Sequence, residues 1–183
     1  MKNLVVIDFD GTLLPYESLR KLLWLLVTKY PVQMLPLLAR RRLRIISSEE
    51  MKHKLVLLLD KKKGSAILLK QFAKKLLADC SKELLNKIQT WQSQNAEVLI
   101  LSASPQIYLQ YLHDALQCKV QGSYLNNNND FVHLYGAKKA NFLELNFPKS
   151  KYHYLYAVSD HKSDLPLLQL FESYDLIVAG TYA

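Results

Sequence analysis

The sequence predicts an α/β protein in which a parallel β-sheet carries a long helical insert. Four short, continuous apolar runs lie at residues 4–7, 98–101, 155–158 and 176–178. Runs of this length are typical of strands that are buried on both faces of a parallel sheet. About ninety residues separate the first two runs, and their apolar positions recur at helical spacing, as at Leu55, Leu58 and Leu59. We therefore expect several helices between the first two strands.

The insert contains two helix signals. Ser47 followed by Glu50 has the form of a capping box, which opens a helix. Gly64 before Ser65 indicates a break before the next helix, whose apolar stripe includes Leu68.

The segment after the second apolar run predicts a helix and then a hairpin. We expect Ser104 to be the N-cap of this helix and Pro105 to occupy its first position. A strand would then deliver Ser102 to a helix N-terminus. Residues 120–135 alternate loosely around four consecutive Asn at 126–129, which predict the tip of a hairpin.

Length and composition indicate a globular protein with one substantial core. Half of the 183 residues are apolar and 22% are charged, and the chain has only 5 Gly and 6 Pro. These values exclude the disordered, collagen-like and disulfide-scaffold classes, and the length allows one core with an inserted subdomain. Cys80 and Cys118 lack the spacing of a metal site, so we expect two reduced, buried thiols and a cytoplasmic protein.

We expect neither a secretory signal nor a transmembrane helix. Residues 1–3 lead directly into the first apolar run, which ends at Asp8. The stretch 22–39 is the most apolar, but one lysine, one glutamine and two prolines interrupt it. A clean membrane span needs about 20 predominantly apolar residues.

Positive charge is concentrated in the insert. The formal net charge is +8, and residues 14–85 contain 16 Lys and Arg against 6 Asp and Glu. This asymmetry predicts an anionic partner: a phosphorylated substrate, a membrane surface or a nucleic acid. A solvated, lysine-rich helical face is the alternative interpretation. No readout motif accompanies the Arg cluster at 40–44, so we expect no nucleic-acid partner.

The chemistry is predicted to centre on the sequence Asp-Phe-Asp-Gly-Thr-Leu at 8–13. It places Asp8 and Asp10 where a buried strand ends, which is the edge at which open α/β sheets bind ligands. One carboxylate there can attack phosphorus, and the second can protonate the leaving oxygen and then activate water. Two paired acids repel each other unless a cation lies between them, so the pair also implies Mg²⁺, which prefers oxygen ligands.

Other strand ends supply complementary groups. Ser102 offers a hydroxyl and nearby backbone N–H groups to phosphate oxygens. Lys139, or its neighbour Lys138, offers a positive charge to the nucleophile and the phosphoryl group. Asp160 and Asp164 follow a further apolar run and offer more carboxylates to a metal.

Together and in this order, these segments resemble the four motifs of the haloacid dehalogenase superfamily, and specifically its phosphoserine-phosphatase-like branch. The matching segments are 8–13, 101–105, 136–143 and 159–168. The resemblance implies a Rossmann-like core, formed by residues 1–14 and 86–183, and an all-helical cap at 15–85 between the first two motifs.

The resemblance also implies roles for individual residues. Asp8 would be the nucleophile of a phosphatase that forms an aspartyl-phosphate, and Asp10 its general acid and base. Ser102 and Lys139 would hold the phosphoryl group; we prefer Lys139 to Lys138 because it is three residues after Gly136. The resemblance further implies a Mg²⁺ site. Its ligands would be Asp8, the Asp10 carbonyl and Asp160, and Asp164 would be either a further ligand or a group next to the ligands.

Two positions depart from the pattern of the family. The fourth motif often begins with Gly-Asp, whereas Ser159 precedes Asp160 here. Glu17 lies where phosphoserine phosphatases carry a substrate-binding Glu, but the Gly and small-residue pattern of their cap is missing. Phosphoserine is therefore not implied as the substrate.

Two other functions are weighed against a phosphatase. A phospho-accepting receiver domain also uses acids, a Ser or Thr and a Lys at strand ends, but its phosphorylated Asp lies in the middle of the chain and it has no cap. Carbon–halogen hydrolysis needs no acid equivalent to Asp10. The N-terminal acid pair and the phosphate-binding residues favour the phosphatase.

The insert also bears on the substrate. The apolar stretch 22–38 is followed at once by Arg40, Arg41, Arg42 and Arg44. It can form a helical hairpin that packs its apolar face on the core. Alternatively, it lies beside anionic lipid at the inner face of a membrane, as a peripheral contact. The predicted substrate is accordingly either a small phosphorylated metabolite or a lipid phosphate.

Overall fold

A computed structural model describes residues 1–178 of the protein. Within this range a six-stranded sheet has the strand order β4-β3-β2-β1-β5-β6, and all neighbouring pairs are parallel except β3 with β4. The strands are β1 Lys2–Ile7, β2 Glu97–Pro105, β3 Lys119–Leu125, β4 Phe131–Val132, β5 Tyr152–Ser159 and β6 Ser173–Leu176. The α/β class with a mostly parallel sheet is thus confirmed.

Nine α-helices lie within residues 1–178, and five of them separate β1 from β2. The five are α1 Ser18–Lys29, α2 Pro31–Arg42, α3 Ser48–Asp60, α4 Ser65–Ala78 and α5 Lys82–Ser93. The others are α6 Gln106–Leu109, α7 His113–Leu116, α8 Ala137–Asn146 and α9 Leu165–Leu168. The predicted helical insert is therefore present, whereas its role as a cap at 15–85 on a core of 1–14 and 86–183 stays a prediction.

The central strand β1 packs against helices on both faces of the sheet. Successive side chains of a strand point to opposite faces. Val5 and Ile7 belong to a large apolar cluster with the insert helices, and Leu4 and Val6 belong to a second cluster with α8 and α9. Burial on both faces explains why the run at 4–7 is continuously apolar.

The predicted start signals of the insert helices are present. The Ser47 Oγ accepts a hydrogen bond from the Glu50 N–H at 3.0 Å, which caps α3. The Glu50 carboxylate pairs with Lys54 at 2.8 Å, so the reciprocal half of the capping box is replaced by a salt bridge along the helix. Gly64 has a φ of +80° at the N-cap of α4, a left-handed conformation that favours glycine.

The predicted hairpin tip is also confirmed, because β3 and β4 form an antiparallel pair joined by residues 126–130. The Asn126 side chain accepts hydrogen bonds from the N–H groups of Asn128 and Asp130, both at 2.9 Å. Asn129 has a φ of +64°, which Asn tolerates better than most residues.

The helix expected after β2 is present, but it begins one residue later than predicted, and the assignment of Ser104 as its N-cap is wrong. Pro105 is the last residue of β2, paired with Ser123, and α6 begins at Gln106. Ser104 does not cap the helix, because its hydroxyl donates a hydrogen bond to the Asp10 carboxylate instead. A Cβ on Gly122 would lie 2.4 Å from the Ser104 carbonyl oxygen, so only glycine lets β3 run this close to the extended segment.

The last strand also differs from the expectation. β6 covers Ser173–Leu176, and its residues are exposed, whereas the apolar run predicted a buried strand at 176–178. A strand needs a continuous apolar run only where helices cover both of its faces. Here pairing with β5 is supported by a polar contact, in which the Tyr156 hydroxyl donates to Asp175 at 2.6 Å.

Two further expectations concern the cysteines and the membrane. Cys80 and Cys118 are buried free thiols, as predicted, and burial raises the pKa of each to about 12. None of the helices in residues 1–178 combines the length and the apolar character that crossing a membrane requires.

Leu55 tests the packing between the insert and the sheet, because it is fully buried in the apolar cluster that contains Val5 and Ile7. We expect Leu55→Ala to lower the free energy of unfolding by about 2–5 kcal/mol, through lost contacts and a cavity. The matched change Ile67→Ala, at an exposed position of α4, should stay within about 0.5 kcal/mol. Denaturant unfolding of both variants measures the difference, and equal losses would contradict the shared core.

Candidate active site

A cleft of about 450 Å³ opens at the carboxyl ends of the parallel strands. Ligands of open α/β sheets bind at this edge. Its lining includes all of the candidate residues named from the sequence: Asp8, Asp10, Glu17, Ser102, Lys139, Asp160 and Asp164. The insert contributes Leu19, Ser48 and Lys52 to the same cleft, and the β4–α8 segment contributes His133 and Tyr135.

The loop after β1 is folded back tightly against the loop after β5. The Asp8 N–H donates to the Val158 carbonyl at 2.9 Å, and the Asp160 N–H donates to the Thr12 hydroxyl at 3.0 Å. Gly11 has a φ of +76°, and a Cβ there would lie 2.1 Å from the Asp160 Oδ2. Gly11 is therefore required both by its backbone conformation and by the space that the Asp160 carboxylate occupies.

Lys139 joins two of the predicted acids. Its Nζ lies 2.7 Å from the Asp8 Oδ1 and 2.6 Å from the Asp164 Oδ2, and the Ser159 hydroxyl donates to the same Asp164 oxygen at 2.8 Å. The Lys139 side chain is only 2% exposed, whereas Lys138 is 60% exposed and lies 3.7 Å from the Glu49 carboxylate. The structure thus places Lys139, and not Lys138, in the site.

The electrostatics of this ion network follow from its burial. Burial raises the pKa of Asp8 and outweighs Lys139, which lowers it; Asp164 and Asp10 also raise it. Burial tends to lower the pKa of Lys139, but the Asp8 and Asp164 carboxylates outweigh that effect and raise it to about 12. Lys139 is therefore a permanent cation beside Asp8.

Asp10 lies beside Asp8 in sequence but in a different environment. Its carboxylate accepts hydrogen bonds from the Ser18 N–H at 2.6 Å and from the Ser104 hydroxyl. The Ser18 hydroxyl is in turn 2.7 Å from the Tyr108 hydroxyl. Burial raises the pKa of Asp10, although the hydrogen bonds from Ser104 and Ser18 oppose this rise.

Ser102 is buried in the last part of β2 and lines the cleft. Its Oγ accepts a hydrogen bond from the Ser104 N–H at 3.0 Å, which fixes the hydroxyl at the cleft wall. The helix N-terminus expected after Ser102 is that of α6, which begins only at Gln106 because β2 continues to Pro105.

The oxygen-rich side of the cleft fits a small, hard cation. No group of three or more His, Cys, Asp or Glu side chains in residues 1–178 has the form of a complete metal site. Mg²⁺ does not require one, because it typically binds one or two carboxylates and completes its shell with phosphate and water. Asp8 and Asp160 can supply those carboxylates, and the space left by Gly11 admits the Asp160 side chain. The Asp164 Oδ2 already accepts hydrogen bonds from Lys139 and Ser159, so in this structure Asp164 is a contact of Lys139.

A further part of the cleft wall is formed by Lys52 of α3, His133 and Glu17. The Lys52 Nζ donates to the Ala103 carbonyl at 2.9 Å and lies 3.0 Å from the His133 Nε2. Burial, together with the nearby Lys52 ammonium, lowers the pKa of His133 to about 4, so the ring is neutral near pH 7. Glu17 precedes α1, and partial burial, with Asp10 and Asp160, raises its pKa.

Several residues of the cleft are not among those predicted from the sequence. Lys52 had a signal, because it lies three residues before Leu55 on the apolar stripe of α3, where a lysine is unexpected. Ser104 was interpreted as a helix cap, and only the path of β2 shows that it faces Asp10. His133 had no signal, since its place depends on the hairpin at 126–130.

The comparison with protein families agrees with these motifs. A model of the haloacid dehalogenase-like hydrolases matches residues 5–169, a range that contains all four motif segments. The chain belongs to this family. The resemblance inferred from the motifs is thereby confirmed. A separate search among curated proteins gives no significant match.

Solved structures support the same fold at low sequence identity. A protein of unknown function from Bordetella pertussis Tohama I has a TM-score of 0.70 and 12% identity, over 97% of this chain and 100% of that one. A probable phosphoserine phosphatase from Vibrio cholerae, in unliganded form, has a TM-score of 0.66 and 17% identity, over 95% of this chain and 55% of that one. A substrate-bound phosphoserine phosphatase complex has a TM-score of 0.58 and 14% identity, over 95% of this chain and 85% of that one. These structures support the haloacid dehalogenase fold.

The two adjacent lysines give a matched test of the ion network. Lys139→Met leaves Asp8 and Asp164 buried without their cation, so we expect the free energy of unfolding to fall by about 3–5 kcal/mol. The exposed Lys138→Met should change it by no more than about 1 kcal/mol. Denaturant unfolding at neutral pH measures both, and similar values for the two variants would contradict the buried network.

The pH dependence gives a second readout for Lys139→Met. Burial already raises the pKa of Asp8 above its value in the unfolded chain, and loss of the ammonium should raise it further. An acid whose pKa is higher in the folded than in the unfolded chain stabilises the folded state while it is protonated. This contribution is lost as the pH rises through the folded-state pKa. The stability deficit should therefore be smaller in mildly acidic than in mildly alkaline buffer.

Proposed function

We propose that the protein is a Mg²⁺-dependent phosphomonoester hydrolase that acts through an aspartyl-phosphate at Asp8. The observation that carries the proposal is the pairing of two differently held carboxylates at one strand end. Asp8 contacts the Lys139 ammonium at 2.7 Å, whereas Asp10 is held by the hydroxyl of Ser104 and the N–H of Ser18. Two carboxyl groups in unlike environments are what a nucleophile and a general acid require.

In the first step, one Asp8 oxygen attacks the substrate phosphorus and the bond from phosphorus to the leaving oxygen breaks. Lys139 holds the Asp8 Oδ1, which leaves the second oxygen of this carboxylate for the attack. Asp10 gives its proton to the leaving oxygen, and its raised pKa suits a group that must carry a proton near neutral pH. The products are a free alcohol and the aspartyl-phosphate.

In the second step, water attacks the phosphorus of the aspartyl-phosphate and Asp10 removes the proton from this water. The bond between phosphorus and the Asp8 oxygen breaks, which returns the Asp8 carboxylate and releases phosphate. The Ser102 hydroxyl and the Lys139 ammonium are proposed to bind the phosphoryl oxygens, because both line the cleft beside Asp8.

The residues proposed to hold Mg²⁺ are Asp8, the carbonyl of Asp10, and Asp160. When bound, the ion supplies positive charge that offsets the repulsion between carboxylates and phosphoryl group. Asp164 is proposed to act indirectly, by orienting Lys139 through the contact at 2.6 Å.

The substrate is proposed to be a phosphorylated small molecule whose leaving group meets Lys52, Glu17 and His133. This wall has a cation, a carboxylate and a neutral imidazole, so it favours a polar leaving group that exchanges hydrogen bonds with all three. Solved relatives described as phosphoserine phosphatases support a phosphomonoester. A lipid phosphate is the alternative, and the exposed apolar side chains of α1 and α2 favour it.

The roles of the two acids can be separated by the leaving group. We expect Asp8→Asn to abolish hydrolysis of p-nitrophenyl phosphate, because an amide is a poor nucleophile. Asp10→Asn should slow esters of alkyl alcohols by about 10²- to 10⁴-fold and aryl esters much less, since a good leaving group needs no proton. Steady-state rates over a series of phosphomonoesters measure this difference, and full activity in Asp8→Asn would rule out Asp8 as the nucleophile.

The same assay tests the alternative function. A wild type that accumulates phosphoprotein without releasing phosphate would indicate a receiver-like domain.

Metal dependence is tested by removal and replacement of the ion. We expect a chelator to abolish phosphatase activity and Mg²⁺ to restore it, while Ca²⁺ restores little, because its longer bonds and higher coordination number loosen the in-line geometry. Asp160→Asn should raise the Mg²⁺ concentration needed for half-maximal activity. Unchanged activity after exhaustive chelation would contradict a metal requirement.

A further inference from the structure

The outer face of helices α1 and α2 exposes large apolar side chains. Trp24 is 66% exposed and Leu35 is 56% exposed, and Val32 is also exposed. Trp24 and Leu35 line one shallow groove of about 330 Å³, together with Arg20, Leu23, Val27 and Leu38. We call this surface, with the Arg cluster 40–44 at the end of α2, the basic apolar face.

The exposed apolar side chains of α1 and α2 do not contribute to the packing of these helices on the core. The inner face of the two helices is fully used, because Leu22, Leu26, Met34 and Leu37 are buried in the large apolar cluster. The interpretation of 22–38 as a hairpin that packs on the core is therefore correct, and a second apolar side remains in water. Contiguous exposed apolar surface with a polar rim is typical of a binding site.

The charged side chains of the segment that carries the basic apolar face are all of one sign. Residues 18–47 contain seven Lys and Arg and no Asp or Glu. Within residues 1–178, only Lys21 of these seven forms an ion pair, with Asp79 at 3.2 Å. Arg40 interacts electrostatically with the nearby Glu50 carboxylate, so the four arginines at and just after the end of α2 offer a net, partly compensated positive charge to a partner.

We propose that the basic apolar face docks on the surface of an anionic lipid bilayer. Exposed Trp and Leu side chains can enter the interface while the arginines stay at the headgroups, which is the pattern of peripheral helices. A second copy of the chain fits less well, because a two-fold contact through this face would bring two Arg clusters of the same charge together. A nucleic acid would use the arginines but leave Trp24 and Leu35 without an apolar partner.

The position of the face connects docking with the proposed hydrolase. Leu19 lines the active cleft, and Leu23, one helical turn later on α1, lines the groove of the basic apolar face. A docked protein would hold the mouth of its cleft close to the lipid headgroups. The docking proposal does not depend on phosphatase activity, although it would favour a lipid phosphate as the substrate.

Co-sedimentation with vesicles tests the proposal. The probes are vesicles of phosphatidylglycerol mixed with phosphatidylcholine, and vesicles of phosphatidylcholine alone, at low and at physiological salt. We expect wild type to sediment with the anionic vesicles only. Each Lys or Arg at an anionic surface contributes about a fivefold gain in partitioning, so changing Arg40, Arg41, Arg42 and Arg44 to Gln should reduce binding by about two to three orders of magnitude.

A matched variant separates this face from overall charge. Lys63, Lys70, Lys74 and Lys75 are exposed on or beside α4, away from the groove, and changing them to Gln removes the same charge. This variant should bind anionic vesicles nearly as well as wild type. Equal losses in the two variants, or no binding by wild type at low salt, would overturn the proposal.

Fluorescence tests insertion directly. The chain has two Trp residues, so Trp91→Phe leaves Trp24 as the reporter. We expect its emission to shift to the blue with anionic vesicles, and an unchanged spectrum would overturn insertion. A concentration-dependent dimer in light scattering that Leu35→Ser abolishes would assign the face to a second copy and overturn lipid docking. Hydrolysis of p-nitrophenyl phosphate in the four-Arg variant reports on the proposed function separately and should be unchanged.

Discussion

The contact of the Lys139 ammonium with Asp8 and Asp164 is the interaction on which the rest of the site depends. These three side chains come from α8, from the end of β1 and from the turn after β5, and all are buried. Without a cation between them, the two carboxylates would repel each other in a region of low dielectric, and the loops that carry them would separate. The ion network therefore explains how acids that are distant in sequence can share one cleft.

Asp10 illustrates the opposite way of keeping a carboxyl group out of water. It is held by neutral donors, from Ser18 and Ser104, with Tyr108 behind them. Neutral hydrogen bonds stabilise a carboxylate less than an adjacent ammonium does, and burial raises the pKa of Asp10 in spite of them. The difference between Asp8 and Asp10 arises because one faces α8 and the other faces α1 and β2.

The sequence predicted the parts of the protein that short-range patterns determine. Buried strands, the cap at Ser47, the break at Gly64 and the Asn-rich hairpin all follow from local periodicity or turn chemistry. The spacing within a family motif was enough to prefer Lys139 to Lys138. The physical reason for this preference is that Lys139 is buried between two acids, which is a property of the tertiary structure. Ser104 and His133 were not predictable, because their roles depend on where β2 ends and on how the hairpin returns to the cleft. The polar strand β6 was misplaced since an edge position relaxes the apolar pattern.

The large apolar cluster shared by β1 and the insert helices limits how this protein can be recombined. Val5 and Ile7 of the central strand are covered by the same packed group as Leu22, Leu26 and Leu55. An insert taken from a relative with another arrangement of side chains would leave this face of the sheet poorly covered, even if its own helices folded. Chimaeras that exchange the insert should therefore exchange the facing residues of β1 with it, so the practical unit of modular exchange is larger than the insert alone.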